Sequence, residues 1–146
     1  MKKASSKKLL LDVNVLLALA WPNHQFHAPA TRRLGRKTPW ATCALTELGF
    51  IRLSSNPAVV GVTKSPGEAA SLLTLMKRDE AHFFIESLPS PTNAPFSKPL
   101  DQILGSRQVT DAYLVALAQS NQAILLTFDT RLAEFPEVEC LGEHAE

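Results

Sequence analysis

The chain has 146 residues, 45% of them hydrophobic, which suits one domain over residues 1–146 with a substantial core and leaves no room for a second. Its two cysteines, Cys43 and Cys140, stand in no spaced pattern with another Cys or His, which argues against zinc and a disulfide framework and fits a reducing, cytoplasmic setting. The net charge of +1 hides an asymmetry: residues 1–46 carry eight Lys or Arg and one acid, Asp12, whereas residues 129–146 carry six acids and only Arg131. Such separation suits a basic surface for a polyanion with an acidic tail elsewhere, and equally an ordinary solvated surface with an uneven distribution.

In chain order, Lys2, Lys3, Lys7 and Lys8 precede an apolar stretch ending Ala18-Leu19-Ala20, an imitation of a signal peptide. Asp12 and Asn14 lie inside that stretch, and the cost of taking them out of water opposes insertion. No other segment approaches the ~18 apolar residues of a membrane span. Residues 9–13 read as a short buried strand, and residues 15–21 continue into a helix that Pro22-Asn23 turns or kinks. Residues 40–42 form a second short strand, followed by a helix over residues 44–53 that Asn56-Pro57 ends. Ser65-Pro66-Gly67-Glu68 is a helix start with Ser65 as N-cap and Glu68 placed for a capping box; that helix runs to Arg78.

Residues 82–86 have the aromatic and β-branched character of a strand. Residues 88–100 carry Pro89, Pro91, Pro95 and Pro99, too many for a regular element, and read as a surface loop. A helix over residues 108–121, a buried strand over residues 123–127 and a short strand over residues 138–141 complete the chain. Strands alternating with helices imply an α/β fold with a mostly parallel sheet, on which ligands bind beyond the carboxyl ends of the strands. Asp12 and Asp129 fall at or just past two such ends.

Four acids sit among apolar neighbours: Asp12 in LLLDVNVLLAL, Glu47 in ALTELGFIRL, Asp111 in VTDAYLVALA and Asp129 in ILLTFDTRL. An ionised carboxylate in such company coordinates metal, accepts strong hydrogen bonds or caps a helix. Asp12 and Asp129 each stand where a helix cap, worth about 0.5–2 kcal/mol, explains them as well as metal binding does. Asp111 stands at a helix start, where the dipole favours an acid. Glu47 resists such an explanation, because its neighbours at three and four residues, Cys43, Ala44, Phe50 and Ile51, are all apolar. Asn14 and Thr127 flank two of the acids and could orient them or satisfy turns. His24 and His27 could share a helical face, with metal binding or a structural role both open. Trp21, Phe26 and Trp40 could stack on bases or pack in the core.

Taken together, LLLDVNVLLALAWPNH, TELGFIRL, TDAYLVALA and LLTFDTRL, in that order and spacing over nearly the whole chain, resemble the PIN domain, and within it the small VapC-type ribonuclease toxins of bacterial toxin-antitoxin pairs. The resemblance implies a PIN-like sheet of about five strands in the order 3-2-1-4-5. It implies Asp12, Glu47 and Asp111 as the metal-binding set with Asp129 as a less uniform fourth, and Mg²⁺ or Mn²⁺ as the ion. It also implies a homodimer and a cognate antitoxin whose tail enters the site. The expected activity is metal-dependent endonucleolytic hydrolysis of structured or single-stranded RNA, transfer, ribosomal or messenger, with Arg32, Arg33, Arg36 and Lys37 holding flanking phosphates.

Other α/β proteins with acids at strand ends fit less well. Asp12-Val13-Asn14 lacks the second aspartate of an aspartyl phosphatase, and no lysine follows residues 123–127 as a receiver domain needs. A catalytically silent PIN-like module binding nucleic acid or protein is the remaining alternative.

Overall fold

The computed structural model describes residues 7–103 and 105–141. Lys2 and Lys3 of the leader-like start, and Glu143 and Glu146 of the acidic end, lie outside the described residues. Five parallel strands form one sheet, β1 (Lys8–Leu11), β2 (Trp40–Cys43), β3 (His82–Ile85), β4 (Ala123–Thr127) and β5 (Val138–Cys140), in the order β3-β2-β1-β4-β5. The expected order 3-2-1-4-5 is the observed one.

The helices are α1 (Val13–Ala20), α2 (His27–Leu34), α3 (Ala44–Ser54), α4 (Pro57–Val60), α5 (Pro66–Met76) and α6 (Val109–Ser120). The two-residue period of β1 divides its leucines between two cores. Leu9 and Leu11 pack with Val15, Leu16, Phe50, Leu73 and Leu126 beneath the helices α1, α3 and α5, while Leu10 packs with Leu114, Leu117 and Leu125 beneath α6. Each such fully buried leucine contributes about 1.5–3 kcal/mol. With both faces covered, a continuous apolar run such as LLL is what a central parallel strand requires.

Ser65 accepts from Glu68 N at 3.1 Å and Glu68 accepts from Ser65 N at 2.8 Å, so α5 begins on the expected capping box. Its helical residues end at Met76, two short of the expected Arg78. Asn56-Pro57 ends α3 as expected and also starts α4, with Asn56 as N-cap and Pro57 at the first position.

Two segments differ from the sequence reading. α2 lacks a broad apolar stripe, Ala30 being its one buried residue, and it carries Pro29, which the first turn of a helix tolerates. Gly35, at φ 63°, ends it. The proline-rich stretch is not a plain surface loop: it folds over α6, with Phe96 buried against Tyr113 at 5.4 Å between ring centroids and the Tyr113 hydroxyl donating to Pro89 O at 2.6 Å. This cover on one side and the sheet on the other leave Ala112 through Ala118 all buried. None of the helices among the described residues is long and apolar enough to cross a membrane.

Candidate functional site

Asp12 directly follows β1 and caps α1, its Oδ1 accepting from Val13 N at 2.8 Å. Because β1 and β4 run in register from Lys8↔Ala123 to Leu11↔Leu126, Asp12 stands abreast of Thr127, whose hydroxyl donates to Asp12 Oδ2 at 2.7 Å. The same hydroxyl oxygen accepts from Asp129 N at 3.1 Å. Asp129 caps the 3-10 turn Thr130–Leu132 through Arg131 N at 2.9 Å, and its carboxylate also receives Arg131 Nε at 3.0 Å and Nη2 at 2.8 Å. Asp111 occupies the first turn of α6.

Asp12, Asp111 and Asp129, from three elements far apart in sequence, line one cavity of about 250 Å³ together with Asn14, Thr46 and Thr110. Its apolar wall includes Leu17, Leu45 and Leu114. Thus the capping and dipole roles of the three aspartates are all present, and they coexist with convergence on a shared cavity at the carboxyl edge of the sheet.

Asp12 is 6% exposed. Burial raises its pKa; the hydrogen bonds from Thr127 and Val13 oppose that rise and the charge of Asp129 adds to it. Asp111 is pushed up to about 6, first by burial and then by the charges of Asp12 and Asp129. Arg131 holds Asp129 below the usual carboxylate range. Asn14 Oδ1 adds a buried oxygen with no hydrogen-bond partner among the described residues.

Mutually repelling carboxylates beside an unsatisfied amide oxygen form a donor set of hard oxygens, which fits a hard divalent cation. As folded, no three His, Cys, Asp or Glu side chains among the described residues stand close enough together to grip an ion. Both oxygens of Asp129 are taken by Arg131.

Glu47 is placed elsewhere. It is not among the residues lining the cavity: its Oε2 accepts from the buried Thr42 hydroxyl at 2.6 Å and pairs with Lys77 Nζ at 2.8 Å. His82 Nε2 lies 2.8 Å from the same hydroxyl. The helix carrying Glu47 packs so closely on α1 that a Cβ at Gly49 would meet Val13 Cγ2 at 2.8 Å, and this approach sets Leu45 and Thr46 in the cavity wall.

The basic stretch is also distant. Arg33 pairs with Glu139 of β5 through two contacts of 2.6 and 2.8 Å, and Arg32 is exposed. Arg36 and Lys37 share a depression with Asp79, Glu80 and Ala81, just before β2 and β3 begin and so at the opposite edge of the sheet. Among the described residues, the cation paired with a cavity aspartate is Arg131, which sequence reading passed over; its spacing two residues after an acid at a strand end was the available signal.

Comparison with known proteins gives a match of residues 9–138 to the PIN domain family. The chain is 40% identical over 128 residues to Ribonuclease VapC39 of Mycobacterium tuberculosis (strain ATCC 25618 / H37Rv), covering 86% of this chain and 91% of that protein. It is 41% identical over 126 residues to Ribonuclease VapC38 of the same strain, covering 82% and 84%. Among solved structures, the crystal structure of VapBC2 from Rickettsia felis bound to a DNA fragment from their promoter superposes with a TM-score of 0.63 over 91% of this chain and 98% of that one, at 12% identity, a likeness of fold.

Proposed function

The chain belongs to the PIN domain family and, within it, to the VapC ribonucleases, and from that premise we propose that it is a divalent-metal-dependent endoribonuclease toxin held silent by a cognate antitoxin. The observation that carries this reading is the gathering of Asp12, Asp111 and Asp129 around one cavity, where Asp111 is pushed up to about 6. Carboxylates arranged to repel one another await a positive charge.

Asp12 and Asp111 would hold Mg²⁺ or Mn²⁺, directly or through water, with Asn14 Oδ1 as a further oxygen. Asp129 joins them on releasing Arg131. When bound, such an ion lowers the pKa of a coordinated water and stabilises charge on the phosphorane and leaving oxygens of an RNA phosphodiester. The protein's part is orientation: Thr127 fixes the Asp12 carboxylate, α6 delivers Asp111, and Arg131, once free, meets a phosphate at the rim. Glu47 enters the ligand set only by giving up Lys77; as folded it fixes the helix that walls the cavity. Arg32, Arg36 and Lys37 act through long-range attraction of the polyanion, which salt weakens.

The antitoxin and a second copy of the chain are the proposed partners. Leu45, Leu48, Leu88 and Val109 are exposed large apolar side chains, three of them beside the acids or on an adjoining apolar depression. The competing reading, a silent binding module, draws on the Asp129–Arg131 pair, which keeps one acid from an ion. Incubation of purified protein with RNA and Mg²⁺, with EDTA controls and the variants Asp12→Asn and Asp111→Asn, decides between them. Cleavage lost with chelation and in both variants supports the nuclease; equal cleavage by wild type and variants overturns it.

A further inference from the structure

Phe128 is the one residue between Thr127 and Asp129, and its ring stacks on that of Phe26 at 4.6 Å between centroids and an interplanar angle of 29°. The His24 ring lies 6.2 Å from Phe128 at 22° and 6.0 Å from Phe26. All three are only half-buried, although each packs on the cores or on one another. We propose that this trio is a stacking platform for one base of single-stranded RNA, tied to the carboxylate cavity through Phe128, which directly precedes the cavity-lining Asp129. The proposal rests on the ribonuclease reading and deepens it by naming where a nucleotide near the scissile phosphate is held.

Backbone and side-chain bonds fix the platform. His24 N donates to Trp21 O at 2.9 Å, His27 N donates to His24 O at 3.0 Å, and Asn23 Nδ2 donates to Val60 O at 3.4 Å. Phe26 N donates to His24 Nδ1 at 3.0 Å, so Nδ1 is an acceptor and the ring proton of neutral His24 sits on Nε2. His27 lies 2.7 Å through Nδ1 from Ala18 O at the end of α1. Burial, with His27 adding repulsion, lowers the His24 pKa. A flat, uncharged and preoriented ring suits the π-face of a base, and is a poor partner for phosphate. Every base has such a face, so the platform grips without reading sequence. Its place along the chain is fixed: Phe128 directly precedes Asp129.

The test uses the full chain in an Asp111→Asn background, so that RNA is bound without being cut, and a single-stranded oligoadenylate carrying one 2-aminopurine. Binding is read by anisotropy, stacking by 2-aminopurine quenching and folding by thermal unfolding. His24→Ala weakens binding about tenfold and relieves quenching, while His24→Phe restores both. The slope of log Kd against log salt stays unchanged, because the ring carries no charge. Should His24→Ala fail to fold, Phe128→Leu, which keeps apolar bulk and loses the ring, produces the same weakening. Unchanged affinity and quenching in a folded His24→Ala or Phe128→Leu protein overturns the platform, as does an altered salt slope, the mark of a phosphate contact. No binding of RNA by the Asp111→Asn protein or the wild type overturns the ribonuclease reading itself.

Discussion

Thr127 donates to Asp12 across 115 residues of sequence, at 2.7 Å, from a position with no exposure to solvent. Since the Thr127 oxygen also accepts from Asp129 N, one hydroxyl sets the spacing of two acids. Thr127→Val keeps the shape and removes the donor, leaving a buried carboxylate oxygen short of a partner. It should cost about 1–3 kcal/mol in urea unfolding and weaken Mn²⁺ binding, with Thr127→Ser restoring much of both. Unchanged stability in the valine variant would refute the role given to this bond.

The raised pKa of Asp111 gives a stability prediction with a definite sign. The folded state holds this proton more tightly than the unfolded state, whose aspartate titrates near 3.8. Between that value and about 6 the unfolded chain loses its proton first, so stability falls as pH rises, and above about 6 the penalty is complete. Asp111→Asn removes the penalty. Without metal, the variant should gain stability over wild type at pH 7.5, with the gain vanishing near pH 4; denaturant melts in EDTA measure it. A variant less stable than wild type throughout would show that Asp111 is not strained.

Glu47 and the aspartates should part company in metal titrations. Asp12→Asn and Asp111→Asn should weaken Mn²⁺ binding by about tenfold or more, the scale of losing a charged oxygen ligand or its support. Glu47→Gln, off the cavity and still able to accept from Thr42, should change it less than about threefold. Calorimetric affinities decide, and an equal loss for Glu47→Gln would place its carboxylate on the ion. Lys77→Met should lower stability by up to about 1 kcal/mol, the scale of a partly exposed pair.

On the proposed metal site, Arg131 competes with the ion for Asp129, whose two oxygens it holds. Arg131→Ala retains the backbone cap and removes a guanidinium that is 59% exposed at its side chain. Mn²⁺ affinity should rise severalfold, while RNA affinity at low salt falls and its salt slope shrinks by about one. Weaker Mn²⁺ binding in this variant would mean that Arg131 organises the acids instead of holding one away.

Much of the molecule was legible because its determinants are local. The LLL run, the strand over residues 123–127, the Ser65 capping box and the strand-helix alternation each act within a few residues. The meeting of Asp12 and Asp129 followed from placing strand ends on one edge of a parallel sheet, whereas Asp111, at a helix start, joined them only through the family resemblance. What escaped was set at long range. Nothing within helical reach of Glu47 shows Lys77, thirty residues on, or the Thr42 hydroxyl that turns the carboxylate from the cavity. The apolar stripe correctly marked Glu47 as shielded and could not say by what. Likewise Arg33 looked available for phosphate until β5 brought Glu139 against it, and the arginine-rich helix gave too little apolar periodicity to declare itself.

The pairing of β1 with β4 has a consequence for synthesis. The first strand waits for a neighbour more than a hundred residues downstream, and the acids that surround Asp12 come from residues 111 and 129. A growing chain, or one cut short before that point, therefore carries Asp12 without its companions. On the proposed assignment of these acids, destructive capacity is deferred to the last stretch of translation, and a ribosome making this protein meets a working nuclease only when the message has almost been read through.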